Sequence, residues 1–367
     1  MGTGNMDEGG EYMSVCRRAE RRDWRHPRPF PPSPPEAHMF ELFGACILAS
    51  VTCLVTRPVP VTSPAPAPYT WRLIAESAAF PGGYNFPVFT IGDAMWAFHP
   101  QGNWSSTDGR RWVRSPLPPS GLNSAHQKYV RLGAAVYALG SMTGNYLDLH
   151  LTSRITRTRD FRTWDVVAPN SNLPARVFYG AVTFKGKVWL MGGYDGRTYY
   201  HDVWSSPDAV HWTRETADAG WSARNVDLAV VFKDRIWIIG GGVIDGERDP
   251  NPDAKRETWS SSDGVHWEKS PNRAGQVWGG TPVVYDDQLW LVGANRNSTF
   301  APATLVTSDG TTWREERAPW SPRGAPAVWV FRDTLFMSGG KYSVEERGEQ
   351  RFIYRNDVWQ LVRGARR

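Results

Sequence analysis

Cysteine is nearly absent from this chain, and its placement matters as much as its scarcity. The three residues, Cys16, Cys46 and Cys53, all precede residue 54. Everything beyond them must fold without a disulfide, a thiol nucleophile or a Cys-ligated metal. No apolar run reaches the ~20 residues of a full membrane span, which excludes a polytopic membrane protein. A charge excess is also missing. Lys+Arg 42 against Asp+Glu 37 leaves +5, too weak and too scattered for a nucleic-acid footprint. Global disorder is excluded in turn, because hydrophobic residues make 41% and charged residues 22%. The 367 residues allow two ordinary domains or one large all-β domain. The surplus lies in Trp 19, Gly 35 and Pro 28. Many Trp with many Gly point to short strands, tight turns and a repeated aromatic anchor.

The N-terminus is a region apart. Residues 1–38 are charged and end in a Pro-rich stretch, a composition that buries little and reads as a disordered tail. Arg17, Arg18, Arg21, Arg22, Arg25 and Arg28 make it basic just before residues 39–55, which are apolar except for Glu41, Ser50 and Thr52. A basic stretch followed by a short apolar one reads as a signal peptide or signal-anchor. It places the protein outside the cytoplasm, with membrane contact only if the segment stays uncleaved. A start at Met39 would remove the basic flank. Residues 56–68, rich in Pro, Ser and Thr, read as a stiff linker.

From residue 69 onward one unit recurs: an apolar strand, a two-residue turn, a second apolar strand, then a Trp-bearing hairpin. Six first hairpins align without gaps. Their turns are Gly92-Asp93, Gly133-Ala134, Lys185-Gly186, Lys233-Asp234, Asp286-Asp287 and Arg332-Asp333. An aromatic residue follows at Trp96, Tyr137, Trp189, Trp237, Trp290 and Phe336. Three residues on stand His99, Gly140, Gly192, Gly240, Gly293 and Gly339. Gly there permits close approach of a neighbouring backbone. The second hairpin carries a Ser-x-Asp-Gly-x-x-Trp turn at Ser261–Trp267, with degraded copies in other units. Asp bonds its own backbone there and Gly supplies positive φ. Final-strand Trp fall at 71, 112, 164, 212, 267 and 313, spaced 46 to 55 residues apart after the first pair.

A four-stranded unit of this period ending its second strand in Gly-Gly resembles the Kelch repeat of the galactose-oxidase-like propellers. The third unit carries it best, in Val188-Trp189-Leu190-Met191-Gly192-Gly193 and Asp202-Val203-Trp204. The resemblance covers residues 69–363 and implies an all-β, six-bladed propeller with four antiparallel strands per blade. The sixth copy ends a strand early, while Tyr69-Thr70-Trp71-Arg72-Leu73-Ile74 is an orphan fourth strand. The N-terminal strand should therefore complete the last blade and close the ring.

The segments leading into each first strand share a face with the loops after each second strand. Sixteen residues before the first Gly position stand Gly83, Ser124, Arg176, Arg224, Val277 and Arg323. Arg176, Arg224 and Arg323 share one phase on three blades and would converge on the axis. Tyr84, His126, Asn225, Asp227 and Trp278 stand beside that phase. Together they form a candidate mouth for an anion or a sugar. The structural alternative is that Arg binds carbonyls or carboxylates of the fold.

Other motifs carry less. His211 and His266 share a turn position and are repeat residues rather than metal ligands. Asp249, Asn251 and Asp253 begin like a calcium loop, but Ala254 and Ser260 stand where it needs Gly and Glu. No metal or cofactor is expected. Asn103-Trp104-Ser105 and Asn297-Ser298-Thr299 are glycosylation sequons. The leading expectation is a monomeric, non-catalytic Kelch-repeat propeller binding a protein or an anionic or carbohydrate ligand at the central mouth, with no nucleic-acid partner. The alternative is a carbohydrate-active enzyme, either a sugar mutarotase or epimerase, or a sialidase-like glycosidase using the three Arg. A galactose-oxidase copper site is disfavoured by the missing Cys.

Overall fold

The computed structural model describes residues 69–115, 127–145, 148–242, 257–271, 279–296 and 299–363. The expectations for the tail, the apolar segment and the linker lie outside the described residues. The chain divides into two units, and the propeller is the second, Pro68–Arg367.

Blade three shows how the repeat builds a sheet. Gly180–Phe184, Lys187–Met191, Val203–Ser206 and Thr213–Thr216 pair in that order, antiparallel throughout. Lys185 and Gly186 both take positive φ, 47° and 75°. This is the turn whose twist matches the flanking strands. The same four-strand order recurs in blade one (residues 88–114), two (128–168), four (229–269) and five (281–317).

Blade six closes the ring. Its first three strands are Ala327–Phe331, Thr334–Ser338 and Val358–Arg363, and its fourth is Tyr69–Ala75 from the other end of the propeller. The register runs Tyr69↔Arg363, Trp71↔Leu361 and Leu73↔Trp359. A second clasp follows directly. Asn356 Nδ2 lies 3.0 Å from Ser77 Oγ, 3.1 Å from the Ala78 carbonyl and 3.0 Å from the Phe80 carbonyl, and the Ala78 N–H donates back to the Asn356 carbonyl at 2.9 Å.

Blades hold one another through the Asp-Gly turns. Ser261 Oγ accepts the Gly264 N–H (2.8 Å), while Asp263 Oδ1 accepts the N–H groups of Val265 and His266 (both 2.8 Å). Gly264 then lies so close to the second-strand Trp189 of blade three that a Cβ would sit 2.4 Å from its ring. Gly310 of blade five meets Trp237 of blade four in the same way, at 2.4 Å. Of the repeated Trp, Trp71, Trp104, Trp112, Trp189, Trp212, Trp237 and Trp290 are buried, while Trp96, Trp164, Trp204, Trp259, Trp267, Trp313 and Trp359 are half-buried.

Among the described residues, three connections after second strands depart from the simple repeat. In blade two the strands Ala135–Asn145 and Asp148–Thr158 run on past the sheet, and in blade five Gln288–Arg296 and Thr299–Thr307 do likewise. Blade six inserts a separate ribbon, Lys341–Glu346 with Glu349–Tyr354. All three lie on the face of the expected mouth.

Candidate functional site at the propeller mouth

The three Arg do not form an open anion site. Arg176, Arg224 and Arg323 are 3%, 0% and 1% exposed, and each guanidinium is engaged by a carboxylate of its own blade. Arg176 Nη1 donates to Asp202 Oδ1 at 2.6 Å, and Arg224 Nη2 to Glu257 Oε2 at 2.8 Å. Arg323 forms a fork on Asp357, at 2.6 and 2.8 Å. Each also reaches the carbonyl of its blade's first Gly, namely Gly192, Gly240 or Gly339. The expectation that these head groups face the mouth is corrected here. A buried cation needs a carboxylate with satisfied hydrogen bonds, and the fold supplies one.

The acids obey a rule of their own. Asp202, Glu257 and Asp357 each stand two residues before a third-strand Trp, whose indole N–H donates to them at 2.7, 3.1 and 2.7 Å. Burial alone would raise the Glu257 carboxyl. Hydrogen bonds from Lys269, Arg224 and Trp259 outweigh it and hold it at about 2. Blades lacking the Arg lack the acid too: Gly83, Ser124 and Val277 go with Gly102, Arg154 and Ala303. The strut accompanies the wide connections between strands two and three. Blades two and five continue instead as a ribbon, and blade one has the tight turn 99–102. The second Gly of each doublet makes room for the Arg stem. A Cβ on Gly193, Gly241 or Gly340 would lie 3.1–3.3 Å from the Arg Cδ.

Blade one solves the same space differently. His99 stands where the others have Gly, and Gly83 where blades three, four and six have Arg. A Cβ on Gly83 would lie 2.2 Å from His99 Nε2, so the imidazole fills the strut position from the opposite strand. His99 is 3% exposed among Phe80, Phe86 and Trp104. Its Nδ1 accepts the Gln101 N–H at 3.2 Å, while Nε2 makes no well-formed hydrogen bond among the described residues. Burial pushes it down to about 4, against a backbone contact at Gly82 that pulls it up.

The axis is marked by main-chain bonds between neighbouring blades, two residues beyond the Arg phase. Asn85 N–H donates to the Ala325 carbonyl (2.9 Å), Ala325 N–H to Gly279, and Val226 N–H to Phe178 (2.8 Å). Lys128 Nζ lies 3.4 Å from Asp227 Oδ1. Blades two and four are not neighbours, so this pair reaches past the inner strand of blade three. Asp227 therefore balances Lys128, not the three Arg. Asn225 is 3% exposed, and its Oδ1 has no partner among the described residues. His126 and Trp278 lie outside the described residues.

Tyr84 stands at the rim between blades one and six. It stacks on Tyr354 with centroids 5.7 Å apart, and Lys341 Nζ lies 4.1 Å from its centroid. Sequence reasoning placed Tyr84 in the mouth but not against Lys341, because nothing in the repeat announces the ribbon that joins them. On blade three, Tyr194 and Tyr199 stack at 4.4 Å, and Tyr200 Oη donates to Asp195 at 2.6 Å. Of the two sequons, Asn103 is buried in the strand Gly102–Ser106, closed to modification in the folded chain.

Six four-stranded blades around an axis, with an Arg strut and a Gly doublet in three of them, define the class: this chain is a Kelch-type six-bladed β-propeller. The Kelch motif family matches residues 175–205, from the segment before the first strand of blade three into its third. Among solved structures, that of a protein called YjhT superposes with a TM-score of 0.56 at 12% identity, covering 78% of this chain and 96% of its own. At that identity the likeness concerns the fold alone. No curated protein matches in sequence.

Proposed function

We propose that this propeller is a non-catalytic binding module that takes a protein segment or an anionic carbohydrate at its central mouth. The observation that carries this reading is the set of ribbons on one face, each leaning over the next blade. Met142, Leu149 and Leu151 of blade two pack on Val177, Phe178 and Tyr194 of blade three. Phe300 of blade five covers Gly324 of blade six, where a Cβ would lie 2.7 Å from its ring. The blade-six ribbon reaches Tyr84 of blade one. The opposite face has the two-residue turns and the short Asp-Gly turns such as 261–267, with no ribbon among the described residues. Elaboration confined to one end of a rigid scaffold is where binding loops concentrate. The charge pattern of residues 17–55 supports an extracytoplasmic location.

The test is binding of the full chain to arrays of acidic and neutral oligosaccharides and of peptides. Tyr199→Ala, on the mouth face, should weaken capture by about tenfold, as loss of an aromatic anchor does. Val284→Asp, beside a turn of the opposite face, should leave it intact. The reverse pattern would move the binding surface to the other end.

A further inference from the structure

The cations nearest the axis come with their own carboxylates: Arg176 with Asp202, Arg224 with Glu257, Arg323 with Asp357 and Lys128 with Asp227. Lys341 is the exception. No carboxylate among the described residues lies within ion-pair distance of its Nζ. The ammonium sits instead between two rings, 4.1 Å from the Tyr84 centroid and 5.0 Å from that of Phe352. Its backbone fixes where this happens. Gly324 and Lys341 exchange N–H···O bonds of 2.8 and 3.0 Å, and Gly324 stands one residue past Arg323, the phase of Tyr84 and Asn225. Lys341 is therefore on the rim of the mouth, not on the outer wall. Arg351, within the ribbon, pairs with Glu346 at 3.1 Å, and Arg355, just past it, falls on its opposite face and donates from Nη2 to Tyr342 Oη at 3.0 Å.

Ring faces attract a cation, but they do not return what water gave it. Loss of water pushes the Lys341 ammonium down to about 8. An anion brought to such a site gains more than at a solvated lysine, because the effective dielectric is lower. A single compact ammonium offers one point charge, unlike the fork of an Arg, and so suits a monoanion better than a phosphate. Tyr354, 39% exposed and stacked on Tyr84, extends the flat surface beside it. We propose that Lys341 is the seat of the ligand's charge: it takes a carboxylate at the rim, while the group bearing that carboxylate lies against Tyr84 and Tyr354. The inference rests on the mouth-binding reading above and names its ligand chemistry.

The experiment uses the full chain with its lysines 13C-dimethylated, the Lys341 signal being the one lost in Lys341→Arg. Glucuronate and an acetylated Glu-rich peptide supply the carboxylate from two sources, with glucose and inorganic phosphate as controls. In the free protein Lys341 should titrate near 8. A saturating carboxylate should move that titration up by about one unit or more, glucose and phosphate much less. Whichever source acts identifies the carrier. Lys341→Met, which keeps the stem but not the charge, should weaken that carboxylate by at least about tenfold, as loss of an ion pair in a low-dielectric site does. If a carboxylate raises the melting temperature while the Lys341 titration stays put, or Lys341→Met binds as well as the wild type, the mouth reading survives and the seat is wrong. A shift with phosphate equal to that with carboxylate would also overturn the seat. If neither carboxylate changes the melting temperature at all, the seat falls, and the mouth reading falls with it only if the oligosaccharide and peptide arrays also show no capture.

Discussion

At the residue scale, an Arg–carboxylate–Trp unit recurs in blades three, four and six. Its Arg is legible in the sequence as a phase, but its partner is not. The acid lies 26 residues after Arg176 and 34 after Arg323, so loop length hides the pairing. The fixed distance was to the third-strand Trp, two residues on, and that pattern is readable at 202, 257 and 357. Because the pair is buried, removing one member leaves an uncompensated charge. Asp202→Ala should cost about 3–5 kcal/mol in urea unfolding, whereas Arg176→Met with Asp202→Leu should recover most of it. A mild loss in the single variant would mean that water reaches the guanidinium. His99 belongs to the same scale. Its folded pKa of about 4 lies below the unfolded 6.5. The unfolded chain thus binds the extra proton between these values, and stability present above pH 6.5 is lost as pH falls toward 4. His99→Gln should remove about 2–3 kcal/mol of that pH dependence. An unchanged slope would show that the ring is solvated.

At the element scale, the two-residue turns and their strands were readable because turn chemistry and aromatic spacing repeat in all six blades. The missing sixth fourth strand was equally readable, since a repeat that ends early beside an orphan strand has one economical solution. The Asn356 clasp was not, because it joins irregular segments that have no periodicity. The ribbons escaped for a related reason: their strands continue from the blade without any break that composition marks. Deleting residues 1–60 should leave a cooperatively unfolding propeller. Deleting 1–78 removes Trp71, which meets Trp320 edge-on at 4.6 Å, together with the whole Tyr69–Ala75 pairing. The longer deletion should aggregate or lose its sharp melting transition, as an opened sheet edge does. A stable monomer from it would contradict closure by the N-terminal strand.

At the scale of the whole molecule, the ring separates two tasks. Struts, Gly doublets and inter-blade Trp contacts fix the scaffold, and ribbons stand on one face, where the Lys128–Asp227 pair joins blades two and four. The mouth was legible as a location, because the phase of Arg176, Arg224 and Arg323 is also the phase of the lead-in segments. Its chemistry was misjudged there, since the sequence shows cations but not which carboxylates the fold brings to them. Lys341 carries a consequence for the whole chain. Its folded pKa lies below that of the unfolded chain, so stability should rise as pH climbs from about 8 to 10.5. The most direct test of the account is amide hydrogen exchange on the full chain with and without saturating glucuronate. Protection should increase in residues 81–86 and 339–356, where Tyr84 meets the blade-six ribbon, and stay constant at the opposite-face turns around 285–288 and 331–334. Protection gained at those turns instead, or an unchanged mouth with glucuronate bound, would contradict it.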